Sequence, residues 1–459
     1  MGKLKKIKKI LSGSMILFFL LFTSGCGLKT TTPNYKVNLE IWGPVDDADA
    51  YQEIIDNYRK LNPNIGTITY KKQRIDTYQN DLIEAMASGQ GPDIFLIHND
   101  WLSSFSDKTT PAPKEILNEQ TFRNNFVDIC ASDFISKGDI FAVPLTVNSL
   151  ALYYNKDLFN ASGIVAPPTT WDDFSADAQK MTKINSFGEI IQSGAAMGTA
   201  YNINRSTDIL NMLMFQNGAT ISSDSQGKMS LSFDSKSVNA LNFYTQFAKS
   251  GSANYTWNPT LHYSIDAFSE GTLAMMLNYS WQIDAIKSKS PKLNFAIAPL
   301  PQLSASNTAN FANYWAFAVA KNKVTPTGGA GNTIPVSNDL RIKEAWKFLT
   351  YLTTKKTQSQ ANSSAQSGGL GKRYDPNFDP ADDYLKKTNQ PAARRDLLEK
   401  QKSDVNLGAF AQGNLIAKDF PTSNPTYLET TFAEMIDSIN KGLAGTSDAL
   451  SKAINKINH

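Results

Sequence analysis

Histidine occurs three times in the 459 residues, at positions 98, 262 and 459, too few for a metal site built on several imidazoles. Neither G-x-S-x-G nor H-E-x-x-H is present, so the nucleophile elbow and the helical zinc-protease pair have no candidates. DPNFDP at 375–380 opens like a calcium loop, but Pro380 stands where the sharp turn needs glycine and Lys386 where the closing glutamate belongs. GGLGK at 368–372 lacks the spacing of a phosphate loop and the hydroxyl residue after the lysine. Carboxylate pairs for glycoside hydrolysis could come from any of 42 acidic residues, and no spacing singles one out. On residues alone the glycosidase reading therefore stays open. Cys26 and Cys130 are the two cysteines, which excludes a disulfide framework. Cys130, inside the apolar stretch 126–135, reads as a small buried hydrophobe.

The charge distribution points to export. The chain carries +3, but five lysines lie in its first 25 residues, which hold no acid, so the remainder carries −2. A slightly acidic body gives no electrostatic case for nucleic acid. The lysines precede the apolar run Met15–Phe22 and then Thr23-Ser24-Gly25-Cys26. Eight apolar residues are too short to span a bilayer, which needs about 20, and the order of charged, apolar and small residues is that of a secretory signal. The segment before Cys26 resembles the bacterial lipobox, with Thr23 where leucine is commonest. That resemblance implies a signal peptide over 1–25, lipid on Cys26 and a membrane tether over 26–36. Ten flexible residues reach roughly 15–20 Å, so the folded part is held close to a membrane surface.

The elements that must position any site begin directly after the tether. Val37, Leu39 and Ile41 alternate with polar residues as in a strand. Tyr51, Ile54, Ile55, Tyr58 and Leu61 form the apolar stripe of a helix stopped at Asn62-Pro63. A strand at Ile65–Tyr70, a helix at 76–88 and an apolar strand at 93–97 follow. This alternation predicts an α/β fold with a parallel sheet, in which ligands sit at the carboxyl ends of the strands. Residues 42–46 and 98–101 occupy two such ends. Asp46-Asp47 also suit a helix cap. The middle third reads as helical, and strand character returns at Phe295–Ala298 and Trp315–Ala320. Residues 322–338 read as a surface loop, and residues 450–457 as a final helix.

LEIWG (39–43), SGQGPDIF (88–95), FAVPLTVNSLALYYNKDLF (141–159), PPTTWDDF (167–174), AFSEGTLAMMLNYSW (267–281), IAPLPQ (297–302) and EAWKFLTYL (344–352) occur in order. In this ordered set the chain resembles the extracellular solute-binding proteins of ABC importers, in the group of maltose- and other sugar-binding proteins. The resemblance implies a two-lobed, type II periplasmic-binding-protein-like fold, each lobe α/β, with discontinuous lobes joined by hinge crossings. The crossings fall near 142–149 and 291–299, giving lobe 1 as 37–147 and 293–370 and lobe 2 as 148–292 and 371–459. Its implied function is that of a lipid-anchored, non-enzymatic binding component on the outer face of the cell membrane. It would act as a monomer without a cofactor, capture a sugar or oligosaccharide by hinge closure, and deliver it to ABC permease subunits.

The resemblance also implies a ligand site. Trp42, Asp46, His98, Asn99, Asp100 and Trp101 line the lobe 1 face, and Asn148 supplies a polar contact past the first crossing. Trp281 matches a position that stacks on a sugar ring, Tyr279 two residues away faces the same side if the segment is extended, Asn313 and Trp315 match another cleft edge, and Trp257 is a further candidate. Trp171 and Trp346 read as structural. Flat aromatic faces with Asp and Asn suit the apolar faces and hydroxyl rim of a sugar. None of these positions is basic, which argues against anionic cargo. A cationic solute, polyamine or peptide, held by Asp46, Asp100 and the aromatics, is the alternative, with a surface sensor lacking a transporter as another.

Overall fold

The computed structural model describes residues 35–223, 229–231, 235–323, 335–356, 378–420 and 424–458. The leader, Cys26 and GGLGK lie outside them. Among the described residues no helix is long and apolar enough to cross a membrane.

The opening alternation forms as the periodicity predicts. Val37–Gly43 (β1) buries every second residue, with Val37, Leu39 and Ile41 inside. Asp49–Leu61 (α1) buries Tyr51, Ile54, Ile55 and Tyr58 and stops where Asn62 turns extended before Pro63. Ile65–Lys72 (β2), Tyr78–Ala87 (α2) and Ile94–His98 (β3) follow. Past Ala142–Pro144 (β4) the chain builds a second sheet. Its strands are Ala151–Asn155 (β5), Lys183–Ile184 (β6), Ile190–Ala195 (β7), Leu273–Asn278 (β8) and Phe295–Ala298 (β9), with Ser206–Gln216 (α3) between β7 and β8. Asn310–Phe311 (β10) and Trp315–Val319 (β11) then lead to Asn338–Thr353 (α4), Pro380–Thr388 (α5), Ala417–Lys418 (β12) and Pro425–Asn440 (α6).

The first sheet runs β2-β1-β3-β11-β4, and the second β9-β5-β8-β7-β6. In the first, β1 lies parallel to β2 and β3, while β11 is antiparallel to β3 and β4. The expected parallel sheet thus holds for β1–β3. The fourth strand departs from it because it returns from the other sheet rather than through a local crossover helix.

Each sheet has its own hydrophobic core, and the core memberships move the lobe boundaries. β9 pairs with β5 in the second sheet, and Leu300, Ala309 and Phe311 belong to the second core, so the second crossing is at Phe311–Ala312 and not near 291–299. Residues from Ala381 to Leu398 pack in the first core, so that run does not join lobe 2; the chain re-enters the second core at Leu407–Phe410 and finally at Phe420. An apolar four-residue strand fits either sheet equally well, and its period carries no label for which one.

Several crossings lie side by side. β10 pairs with β12, Ser149 bridges to Ala312, and the Asn310 side chain holds both backbone groups of Leu150 (2.8 and 3.1 Å). The Asn313 amide donates to the Asn148 carbonyl at 2.9 Å. A junction of short paired segments, rather than an apolar interface, is the geometry of a hinge. Cys130 is buried and unpaired, as expected of a small hydrophobe, and burial pushes its thiol pKa well up.

Candidate functional site

A cavity of about 870 Å³ opens between the two cores. From the first sheet come Asp46, past the end of β1, and Trp315, at the start of β11; from the second lobe comes Trp281, past the end of β8; Asn148 and Asn313 come from the crossings. β8 ends at Asn278, and the chain turns at once into the helix Gln282–Lys289, with Trp281 at its cap. That turn stacks Trp281 on Tyr279, ring centroids 4.5 Å apart and planes 20° apart. Tyr279 is fully buried beneath it; its hydroxyl donates to Asp208 at 2.8 Å and its carbonyl accepts from Tyr153 at 2.6 Å. Asn148 is buried, accepts from the Ser280 hydroxyl and donates to Gln390 at 3.2 Å. Asp46 does not cap α1. Its carboxylate accepts from the hydroxyls of Tyr51 and Tyr384, and burial raises its pKa despite those two donors and Lys72.

A second chamber of about 240 Å³ adjoins the first and shares Ile75, Arg205, Asn313 and Trp315 with it. His98, Asp100 and Trp101, at the carboxyl end of β3, form one wall. Trp101 and Trp315 meet edge-on at 5.2 Å. His98 lies between Asp100 (Nδ1 to Oδ1, 2.6 Å) and Asn313 (Nε2 to Oδ1, 3.0 Å). Burial alone would lower its pKa, but Asp100, with help from Asn313 and Asp419, carries it up to about 9, so it donates from both nitrogens as imidazolium. Opposite stand Asp208 and Asp419, raised by burial to about 6 and about 7. Like-charge repulsion from Asp100 adds to the rise at Asp419. Among the described residues no group of three or more His, Cys, Asp or Glu is placed to hold a metal ion.

Eight of the twelve positions read from the sequence line these chambers. Four do not open onto them, Tyr279 being buried beneath Trp281. Trp257 is fully buried in the second core, with Nε1 donating to Asn202 at 3.2 Å, and it borders a separate hollow beneath His262 and Glu270. Trp42 packs half-buried against the first core, and its Nε1 donates to Glu40. Asn99 is buried between segments, donating to Asp419 at 2.5 Å and accepting from the Tyr314 amide at 3.0 Å. An indole in a loosely matched stretch carries no sequence mark separating core from cleft, and Trp257 went the way most tryptophans do.

Arg205, Asp208, Asn211, Tyr384, Gln390 and Asp419 also line the chambers, and sequence reading passes over all six. Arg205 corrects the expectation of a site without a basic residue. Held at φ +62° before α3, it sets its guanidinium 5.6 Å from the Trp281 centroid and 5.9 Å from that of Tyr279.

These ionisations fix the direction of a pH effect. The folded pKa of His98 lies above its unfolded value of about 6.5, so its contribution is present below that pH and lost as pH rises through about 9. Asp208 and Asp419 are also raised, so their burial penalty is relieved as pH falls through about 7 and 6. All three act in the same sense. The melting temperature is expected to rise from pH 9 to pH 6, with His98 contributing on the order of 3 kcal/mol, and His98→Gln should flatten the alkaline part of the curve. A melting temperature that climbs with pH over this range contradicts the assignment.

Residues 53–370 match the family described as bacterial extracellular solute-binding protein. The maltotriose-binding protein of Pyrococcus abyssi is 22% identical over 311 residues, 67% of this chain and 60% of that protein. The multiple sugar-binding protein of Streptococcus mutans is 23% identical over 329 residues, 70% of this chain and 71% of that one. Among solved structures, the cyclic alpha-maltosyl-1,6-maltose binding protein from Arthrobacter globiformis aligns with a TM-score of 0.69 at 20% identity, covering 92% of this chain and 98% of that one. At that identity the likeness shows the two-lobed fold.

Proposed function

Since the chain belongs to the family of bacterial extracellular solute-binding proteins, we propose that it is the substrate-binding component of an ABC importer and captures a sugar or oligosaccharide between its lobes. The observation that carries this reading is that Trp281, stacked on Tyr279, and Trp315 come from the two lobes to line one cavity, together with the buried Asn148 and the half-buried Asn313. Indole faces offer flat apolar area to the C–H face of a sugar ring, and amides both donate and accept towards its hydroxyls. Arg205 and Lys387 are set against Asp46, Asp47 and Asp49 around the cavity, so neither sign of charge dominates and an uncharged polyhydroxylated ligand fits. The names of the two sugar-binding relatives point the same way. Because the contacts come from both lobes, they form together only when the hinge closes, and ligand then shifts the population towards the closed shape that permease subunits would recognise. The protein is not an enzyme in this reading and works as a monomer.

The test is a thermal-shift screen against mono- and oligosaccharides, polyamines, amino acids and short peptides. Ligand at 100 times its dissociation constant adds about 2.7 kcal/mol, an easily seen shift. A saccharide hit is expected; a polyamine or peptide hit with no saccharide response overturns the cargo. The anchor proposed for Cys26 has its own test. Cys26→Ser should abolish incorporation of labelled lipid, and a band that keeps the label removes the anchor.

A further inference from the structure

The carboxyl end of β3 grips two crossings between the lobes at once. His98 Nε2 lies 3.0 Å from Oδ1 of Asn313, which stands between Phe311 of the second core and Tyr314 of the first. Asn99 donates at 2.5 Å to Asp419, which stands between Ala417, packed on the first core, and Phe420 in the second. The smaller chamber, where the lobes face each other, is bounded by the same groups. Its first-lobe wall carries His98 and Asp100, paired at 2.6 Å; its second-lobe wall carries Arg205, Asp208 and, on α6, Glu429. Asp419 lies between the walls. Among the described lining residues two cations therefore stand against four acids. Asp133, behind them, is bonded to Tyr314 and held protonated by burial, and Lys418 turns away over the Phe215 ring at 5.9 Å.

The charge on His98 decides the sign of the force across this chamber. As imidazolium it makes the first wall neutral against a second wall with one excess negative charge, and from there it holds the Asp208 carboxyl down. Once neutral, it leaves Asp100 facing Asp208, Glu429 and Asp419 with Arg205 as the only cation lining the chamber, in a half-buried space that screens little. The neutral ring also keeps its hydrogen towards Asp100, so Nε2 and Asn313 Oδ1 meet as two acceptors until the amide turns over. Both changes loosen the same junction.

We propose that His98 is a proton-operated latch on the hinge: with its proton the unliganded lobes rest close together, and on losing it they move apart. The latch acts without ligand, so it does not depend on the cargo. Burial pulls against the imidazolium, but Asp100, Asn313 and Asp419 carry its pKa to about 9. Asp208 and Asp419 ionise earlier, at about 6 and about 7, so the opposing charges are already in place when the proton leaves. The closed bias is therefore present below about pH 9 and lost above it.

Small-angle X-ray scattering of the unliganded protein between pH 6 and pH 10, with circular dichroism to show that the fold persists, tests the latch. The radius of gyration, about 22 Å for a compact chain of this size, is expected to hold to pH 8 and to rise by about 1 Å past pH 9. His98→Gln should show the larger radius already at pH 7 and no rise thereafter. Asp100→Asn should move the rise down towards the ordinary histidine value of about 6.5, a shift that a merely structural contact would not produce. A radius that is the same at pH 7 in the unaltered protein and in His98→Gln overturns the latch. So does a rise in Asp100→Asn at the same pH as in the unaltered protein.

Discussion

Replacing Trp281 with alanine is expected to weaken saccharide binding at least 30-fold, about 2 kcal/mol, while the unliganded protein keeps its fold. A tryptophan face covers on the order of 150–250 Å², and this one is already fixed before ligand arrives. Its ring lies on Tyr279 at 4.5 Å, Tyr279 is tied to Asp208 at 2.8 Å, and the Arg205 guanidinium stands 5.6 Å from the indole centroid. Little side-chain entropy is left to lose on binding, so most of the contact energy appears as affinity. Trp281 is only partly buried against the second core, which makes its removal cheaper for the fold than removal of an internal tryptophan. Trp257 is the control. Fully buried and turned away from the cavity, its phenylalanine variant should lower the melting temperature without changing affinity. Titration with the best saccharide from the screen decides the matter: unchanged affinity in Trp281→Ala takes this ring out of the site.

The positions that sequence reading reaches are those that sit in short, ordered segments at strand ends. β1 and β3 announce themselves by alternation and by an apolar run, and the residues past them, Asp46 and His98–Trp101, follow from the rule that ligands collect there. Trp281 and Trp315 lie in segments with the same kind of signature. The missed residues share a different history. Arg205 immediately precedes α3, and Asp208 and Asn211 lie on it; the helix buries ten of its eleven residues, polar ones included, so no polar stripe marks one face as the wall of a cleft. Tyr384, Gln390 and Asp419 come from late segments that the chain folds back onto residues far away in sequence; Tyr384 reaches Asp46 across 338 positions. Local pattern specifies that an element forms and which side is apolar, but not which of two cores will receive it. Phe295–Ala298 and the run from Ala381 to Leu398 show the same blindness at the scale of whole lobes. Their apolar content is legible, and their destination is decided by contacts that only the assembled molecule contains.

Asp93, in the segment SGQGPDIF, has a structural role. Asp93→Ala is expected to destabilise the first lobe by about 3–5 kcal/mol, the range for breaking a buried ion pair from one side. The carboxylate is completely buried just before β3; Oδ2 accepts from the Glu40 amide at 2.7 Å and from Lys323 at 3.1 Å, and Oδ1 faces the Arg341 guanidinium at 3.7 Å. Arg341 is itself 0% exposed on α4. Its Nε donates to Asn338 at 2.9 Å, and its terminal nitrogens reach the carbonyls of Ala320 and Asp93. One carboxylate thus fastens β1, the segment that follows β11 and α4 to the amino end of the strand whose carboxyl end carries His98, Asp100 and Trp101. Without it a guanidinium stays buried with carbonyl oxygens alone, and burial already lowers its pKa against the pull of Asp93. If the loss comes from that orphaned charge, removing the charge as well should return much of it. The double variant Asp93→Ala, Arg341→Met should then unfold at higher guanidinium concentration than Asp93→Ala alone. If the two unfold together, the cost lies in the lost bond to the Glu40 amide instead, and the ion pair adds nothing to the anchoring of β3.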